Sequence, residues 1–190
     1  MFGSLAAGKA DQYSDVDMLV AVDTPEAAWD IAWKIRQTLP VLFYRMFSSD
    51  RQPAGRYWFK DESPLTRLDI SFHSPDSLQA ICESRTYLQH PITWELRYQR
   101  DINVCVPVST VHTQAACLTF TEMETRLGRC IYRVSCALAC AARNKPYPYA
   151  LDDCINALRD AMIHSQALRL AGGDGNGLAL SLLQLADTLR

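Results

Sequence analysis

The sequence predicts an α+β fold in two parts, an α/β half over residues 1–110 and a helical half over residues 111–190. Three observations carry this expectation. Short runs rich in branched and aromatic residues crowd the first half. Apolar residues at spacings of three and four fill the last third. The composition, 48% hydrophobic and 21% charged over 190 residues, is that of a globular chain. A chain of this length buries roughly 70% of its unfolded surface, so its core needs neither a disulfide nor a structural metal.

After a Gly-containing start, Asp15 to Val22 reads as a buried strand in which two acids stand out. Asp23-Thr24-Pro25-Glu26 then supplies a helix cap with proline in the first turn, and Ala28, Ile31, Ile35 and Leu39 recur at helical spacing until Pro40. Val41 to Phe47, Arg56 to Phe59 and Arg67 to Phe72 read as strands, the last two flanking a turn at Asp61 to Pro64. Ser74-Pro75-Asp76 starts another helix. Val104, Val106 and Val108 alternate as a short strand that Pro107 confines to an edge. From about His112 a long amphipathic helix runs through Ala116, Phe120, Met123, Leu127, Ile131, Val134, Leu138 and Ala141. It stops at Asn144 to Pro148. Leu151, Ile155, Leu158 and Met162 mark a second helix ended by Gly172 and Gly173; Gly172 to Gly177 reads as a flexible linker and Leu178 to Leu189 as a last helix. The boundary between the halves is expected near residues 109–112.

Several function classes fall away on composition. Nineteen basic against twenty-one acidic residues leave a formal charge of −2, so a nucleic-acid partner is not expected. No apolar stretch approaches the roughly 18–20 residues that span a bilayer, so no membrane partner is expected either. The seven cysteines are odd in number, contain no CxxC pair and follow no signal peptide, which reads as reduced thiols in a cytoplasm.

The chemistry concentrates in Gly3-Ser4-Leu5-Ala6-Ala7-Gly8-Lys9-Ala10-Asp11-Gln12-Tyr13-Ser14-Asp15-Val16-Asp17. Asp15 and Asp17 are two apart on a predicted strand, so their side chains leave one face. Two carboxylates placed so repel unless a cation lies between them, and Mg²⁺, which takes a few hard oxygens from protein and the rest from water and phosphate, suits that position. Gly3 lets backbone N–H groups approach a phosphate, and the Ser4 hydroxyl can add a hydrogen bond.

Gly-Ser, about ten residues, then Asp-x-Asp on a strand resembles the signature of the DNA polymerase beta-like nucleotidyltransferases, and GSLAAGKADQYSDVDM is similar to the form in their small bacterial members. The resemblance implies a third carboxylate on a later strand, for which Leu68-Asp69-Ile70-Ser71-Phe72 supplies Asp69 on the face opposite Leu68, Ile70 and Phe72. It implies a nucleotidyltransferase-like mixed sheet with flanking helices followed by a C-terminal helical bundle. The layout also looks like the antibiotic nucleotidyltransferases, which adenylylate hydroxyls of aminoglycosides or lincosamides. It is close over residues 2–22 and 67–72, holds in layout to about residue 110, and holds only in type beyond.

By this resemblance Asp15, Asp17 and Asp69 are the catalytic and metal-binding set. Asp15 and Asp17 hold Mg²⁺, and Asp69 binds a second ion or takes the acceptor's proton. Gly3, Ser4 and Lys9 are the nucleotide-binding set, although by itself Lys9 reads first as a solvated loop charge and second as a phosphate ligand. The donor is ATP or another nucleoside triphosphate, the acceptor a hydroxyl-bearing small molecule, and a homodimer is compatible with the chain. Alternatives are a protein or RNA acceptor, as in nucleotidyltransferase toxins, or a non-catalytic homologue that binds nucleotide or a partner. Leu5 and Ala7 stand where family members often carry arginine. The family also places a helix and a full strand before Gly-Ser, so the catalytic domain is expected to be N-terminally truncated, with an exposed sheet edge and a loosely held phosphate loop.

The remaining candidates have plain readings. Cys130, Cys136 and Cys140 read as small core residues, and Trp29, Trp33, Trp58 and Trp94 as core rather than a sugar platform. His73 reads as an exposed histidine or, second, a substrate contact. His90, His112 and His164 carry no assignment. Glu122 and Glu124 read as surface glutamates or acceptor-site acids. Lys145, Tyr147 and Tyr149 read as an acceptor wall or the cap of the bundle.

Overall fold

A computed structural model describes residues 1–49, 52–95, 122–165 and 173–188. The architecture is mixed α+β with helices C-terminal to the sheet. A single helical turn, α1 (Gly3–Ala6), precedes strand β1 (Val16–Ala21) and helix α2 (Pro25–Thr38). Strands β2 (Val41–Ser49), β3 (Gln52–Phe59) and β4 (Leu68–His73) follow, then helix α3 (Pro75–Ser84) and the small hairpin β5 (Thr86–Tyr87) and β6 (His90–Pro91). Helices α4 (Glu122–Ala142), α5 (Leu151–Ser165) and α6 (Gly175–Thr188) complete the chain. The predicted Val104–Val108 strand, the 109–112 boundary, the start of the long helix near His112 and the stop at Gly172 lie outside the described residues.

Local chemistry sets the helix starts. The Thr24 hydroxyl accepts from the Ala27 N–H, and the Ser74 hydroxyl from the Ser77 N–H, each with proline at the first helical position. The four-stranded sheet has the order β1-β4-β3-β2, with β1 and β4 parallel and the other pairs antiparallel. Alternation divides its side chains cleanly. Tyr44, Met46, Tyr57, Ile70 and Phe72 face Ala28 and Ala32 of α2 in one core. On the other face Phe43 and Trp58 join Leu127, Ile131, Val134 and Leu138 of α4 and the apolar sides of α5 and α6 in a second core. The bundle therefore buries itself against the sheet, and α4 crosses the face opposite α2.

The segment Gly173–Gly177 is not the expected linker. Gly173 bridges Phe43, the Asp174 N–H donates to the Leu42 carbonyl at 2.9 Å, and Asp174 Oδ1 accepts from the Gly177 N–H at 2.7 Å. Helix α6 starts at Gly175, three residues before the expected Leu178, because Asp174 caps it and Gly173 fits against β2. Gly173 has φ +103°, and a Cβ there would stand 2.4 Å from the Leu42 oxygen. Gly173→Ala is expected to lower the melting temperature by several degrees, corresponding to about 2 kcal/mol of backbone strain and displacement, measured by thermal denaturation followed by circular dichroism.

Burial also corrects three side-chain readings. His73 is buried rather than exposed, because β4 turns it under the Tyr87 ring, 5.6 Å centroid to centroid; burial lowers its pKa, and its ring nitrogens meet no partner among the described residues. Glu124 is buried, not a surface glutamate, because α4 enters the bundle at that turn; Glu122 is exposed. Trp58 is core, Trp29 and Trp33 are half-buried, and Trp94 is exposed where it bridges Phe2. Among the described cysteines, Cys130 and Cys154 are buried in the helical core and Cys82, Cys136 and Cys140 are half-buried; all five are free thiols. Among the described residues no helix is long and apolar enough to cross a membrane.

Candidate active site

Parallel pairing of β1 with β4 sets Asp17 directly beside Asp69. Asp15 lies one residue before β1, where the Val16 N–H donates to the Arg67 carbonyl at 2.9 Å. One carboxylate oxygen from each of Asp15, Asp17 and Asp69 lies within 4.8 Å of the others. The three expected acids are thus brought together, two from the motif and one from a strand more than fifty residues on.

The same register continues across the sheet. Asp69 pairs with Arg56 of β3, and Arg56 with Arg45 of β2, so two acids and two arginines form one row on the face that α4 crosses. Arg67, just before β4, lies between the acids: its Nη2 donates to Asp15 Oδ2 and its Nε to Asp69 Oδ1 at 3.1 Å. Arg56 Nε donates to Asp69 Oδ2 at 3.4 Å. Asp17 carries none of these arginine contacts.

Electrostatics follow from this layout. Burial, then the charges of Asp15 and Asp69, push the Asp17 carboxyl up to about 7. Burial also raises Asp69, with Arg67 and Arg56 pulling against it. Burial works against the charge on Arg67, but Asp69 and Asp15 more than restore it, so its pKa lies above the ordinary arginine value. A crowded carboxylate that keeps its proton near neutrality lacks a counter-charge, and three oxygens this close are hard donors suited to a small divalent cation. The donor set fits Mg²⁺.

Gly3 and Ser4 lie on the other side of β1. Phe2 bridges Asp17 and Trp94, the Phe2 N–H donating to the Asp17 carbonyl at 3.0 Å, and the Gly3 N–H donates to the Thr93 carbonyl at 3.2 Å. The turn of α1 closes with the Ala7 N–H on the Gly3 carbonyl, so the loop expected to hold phosphate is pinned at its base rather than loose. Gly3 has φ +78°, and a Cβ there would meet Asp17 Oδ2 at 2.6 Å. Both terms require glycine. Gly3→Ala is expected to weaken Mg²⁺ binding about tenfold and lower the melting temperature by a few degrees, read by calorimetric titration and thermal denaturation. Lys9 is exposed, with its backbone N–H on the Ser4 carbonyl at 2.9 Å.

The helical half reaches the site at two points that the sequence reading missed. The Tyr132 ring of α4 stacks on Arg56, guanidinium carbon to centroid 3.5 Å, and on Arg67 at 4.9 Å. Arg143, at the end of α4, donates to Asp11 through Nε at 2.8 Å and to the Ser14 hydroxyl at 3.1 Å, holding Asp11 well below the usual carboxylate range. The available signal for Arg56 was its place two residues before Trp58 on β3, which strand alternation puts on the Trp58 side. Nothing local announces Tyr132. Tyr147 lies within electrostatic reach of Tyr132 and packs on the helical core, whereas Lys145 and Tyr149 are exposed and Tyr149 lies under Arg133.

Residues 1–65 match the family model for the nucleotidyltransferase domain, a match that supports nucleotidyl transfer in general and takes in Gly3, Ser4, Asp15 and Asp17 but not Asp69. No curated protein and no solved structure matches the chain.

Proposed function

We propose, on the premise that residues 1–65 carry a nucleotidyltransferase domain, that this chain moves a nucleoside monophosphate, AMP from ATP, onto a hydroxyl of a small acceptor in the cytoplasm, with Mg²⁺ as cofactor. The observation that carries the reading is the convergence of Asp15, Asp17 and Asp69 beside Gly3. In this reading residues 1–110 form the catalytic domain and residues 111–190 a helical domain that walls the acceptor side.

Asp15 and Asp17 would hold the ion, which when bound neutralises charge on the donor's phosphates. Gly3 and Ser4 orient the outer phosphates, with Lys9 as an exposed cation at the loop. Asp69 takes the proton of the acceptor hydroxyl or holds a second ion; the upward push of burial on its carboxyl favours proton acceptance. The acceptor oxygen then bonds to the α-phosphorus, the bond from that phosphorus to the bridging oxygen breaks, and pyrophosphate leaves. Positioning and charge compensation supply most of the catalysis in such transfers.

The test is pyrophosphate release from Mg²⁺–ATP against a panel of hydroxyl-bearing antibiotics, sugars and sugar phosphates. Release that depends on the acceptor and on Mg²⁺ supports the reading. Nucleotide binding without release against any acceptor puts a non-catalytic binding homologue in its place. Label transferred from the α-phosphate into protein or RNA moves the acceptor to a macromolecule. Among antibiotics, the arginines beside the triad disfavour the polycationic aminoglycosides.

A further inference from the structure

We infer that Arg56, backed by Arg45, forms an anion-binding fork on the acceptor side of the triad, so that the acceptor presents a phosphate or carboxylate group as well as its hydroxyl. The inference rests on the nucleotidyl-transfer reading for the word acceptor and on geometry for the fork.

Arg56 is held as a rigid plate. Its guanidinium carbon lies 3.5 Å from the Tyr132 centroid and 4.5 Å from that of Phe47. Nε is taken by Asp69 at 3.4 Å, and no other carboxylate among the described residues pairs with Arg56. With two rings this close to the guanidinium carbon and Nε on Asp69, the terminal N–H groups are the donors left for a further partner, and in the guanidinium plane they take an oxyanion side-on.

Arg45 stands next in the row and is 9% exposed. Its stem packs on Gly128 of α4, where a Cβ would meet Cδ at 2.7 Å, and its guanidinium lies 5.4 Å from the Phe47 centroid. Among the described residues no carboxylate pairs with it, while Arg56 and Arg129 lie near enough to repel it. An unpaired buried cation beside two others is costly, and an incoming anion relieves that cost.

Position assigns the anion to the acceptor. Gly3 and Ser4 flank Asp17 on the outer side of β1, whereas Arg56 and Arg45 lie beyond Asp69 on β3 and β2. At about 4.8 Å per strand the arginines begin roughly 10 Å from Asp17, on the side away from the phosphate loop. A donor whose outer phosphates lie at Gly3 and whose α-phosphate lies over the triad leaves the β3–β2 side to the other substrate. Phosphate and carboxylate share this chemistry.

The full-length protein, labelled at arginine Nε, is titrated with ribose 5-phosphate, glucuronate, ribose and glucosamine, and separately with Mg²⁺–ATP. The expected result is that ribose 5-phosphate or glucuronate shifts the Arg56 Nε resonance and binds at least tenfold more tightly than ribose, the tighter of the two naming the anion. Arg45→Met is expected to weaken that binding at least tenfold more than it weakens Mg²⁺–ATP. Arg45→Lys, which keeps charge and stem, gives an intermediate loss and substitutes if Arg45→Met does not fold by circular dichroism. Anions that bind no better than ribose, or glucosamine binding more tightly, overturn the inference. So does a loss confined to Mg²⁺–ATP, which would give the fork to the donor. A protein that takes the anions but never Mg²⁺–ATP keeps the fork and loses the nucleotidyl-transfer reading, so the two fail separately.

Discussion

Asp17→Asn is expected to reduce nucleotidyl transfer about a thousand-fold or more while raising the melting temperature of the metal-free protein at pH 8. The loss corresponds to the several kcal/mol that a correctly held divalent ion supplies to phosphoryl chemistry. The gain follows from Asp17 itself, whose carboxyl stands at about 7 in the fold against 3.8 free. Between those values the folded state binds more protons than the unfolded chain, so metal-free stability falls as pH rises through about 4 to 7 and is level above. The variant lacks this slope; its advantage is largest above pH 7 and disappears near pH 4. Mg²⁺ affinity runs the opposite way, tightening up to tenfold per unit as Asp17 loses its proton and levelling above pH 7. Melting curves and Mg²⁺ titrations over pH 4–9 read both. Full activity in Asp17→Asn, or a melting temperature below wild type at pH 8, would contradict the metal site.

Arg67→Met is expected to do the reverse to stability. The arginine is buried between Asp15 and Asp69 with its plane on Tyr132, and its loss leaves the two carboxylates to repel. Breaking a fully buried pair costs about 3–5 kcal/mol. Asp15 and Asp69 retain about a quarter and a fifth of their exposure, which lowers the expectation to roughly 2–3 kcal/mol, or about 6–9 °C in melting temperature. Saturating Mg²⁺ restores positive charge at the same carboxylates, so it should raise the melting temperature of this variant more than that of wild type. Differential scanning fluorimetry with and without Mg²⁺ checks both; an equal Mg²⁺ effect in the two proteins would mean that the ion and Arg67 do not share these acids.

Much of the sheet and the first two acids of the cluster were legible in the sequence because they obey local rules. Asp15 and Asp17 needed only the two-residue period of a strand; Asp69 came from the third carboxylate that the family resemblance implies, and the alternation of Leu68, Ile70 and Phe72 added only its face. Thr24-Pro25 and Ser74-Pro75 fixed two helix starts through side-chain caps. What escaped depends on pairing between distant segments. Arg45 and Arg56 become neighbours of Asp69 only through the register of three strands. Tyr132 reaches them because α4 lies across that face, and no periodicity within α4 says what its polar edge will meet. Gly173 to Gly177 misled for a related reason: composition favours flexibility, while one aspartate and one close carbonyl decide otherwise. His73 misled because alternation gives a face without saying what covers it.

The order of strands also has a consequence for how the molecule comes into being. Strands β2, β3 and β4 are sequential antiparallel neighbours and can zip locally, whereas β1 must close a loop of some fifty residues to lie parallel against β4. Until that closure Asp17 and Asp69 are strangers, so a state with only the β2–β4 strands paired does not hold the acids together. Divalent ions should therefore leave the refolding rate nearly unchanged and slow unfolding, since they grip only what this longer closure creates. Stopped-flow refolding and unfolding at several Mg²⁺ concentrations would show the effect on one limb of the chevron alone.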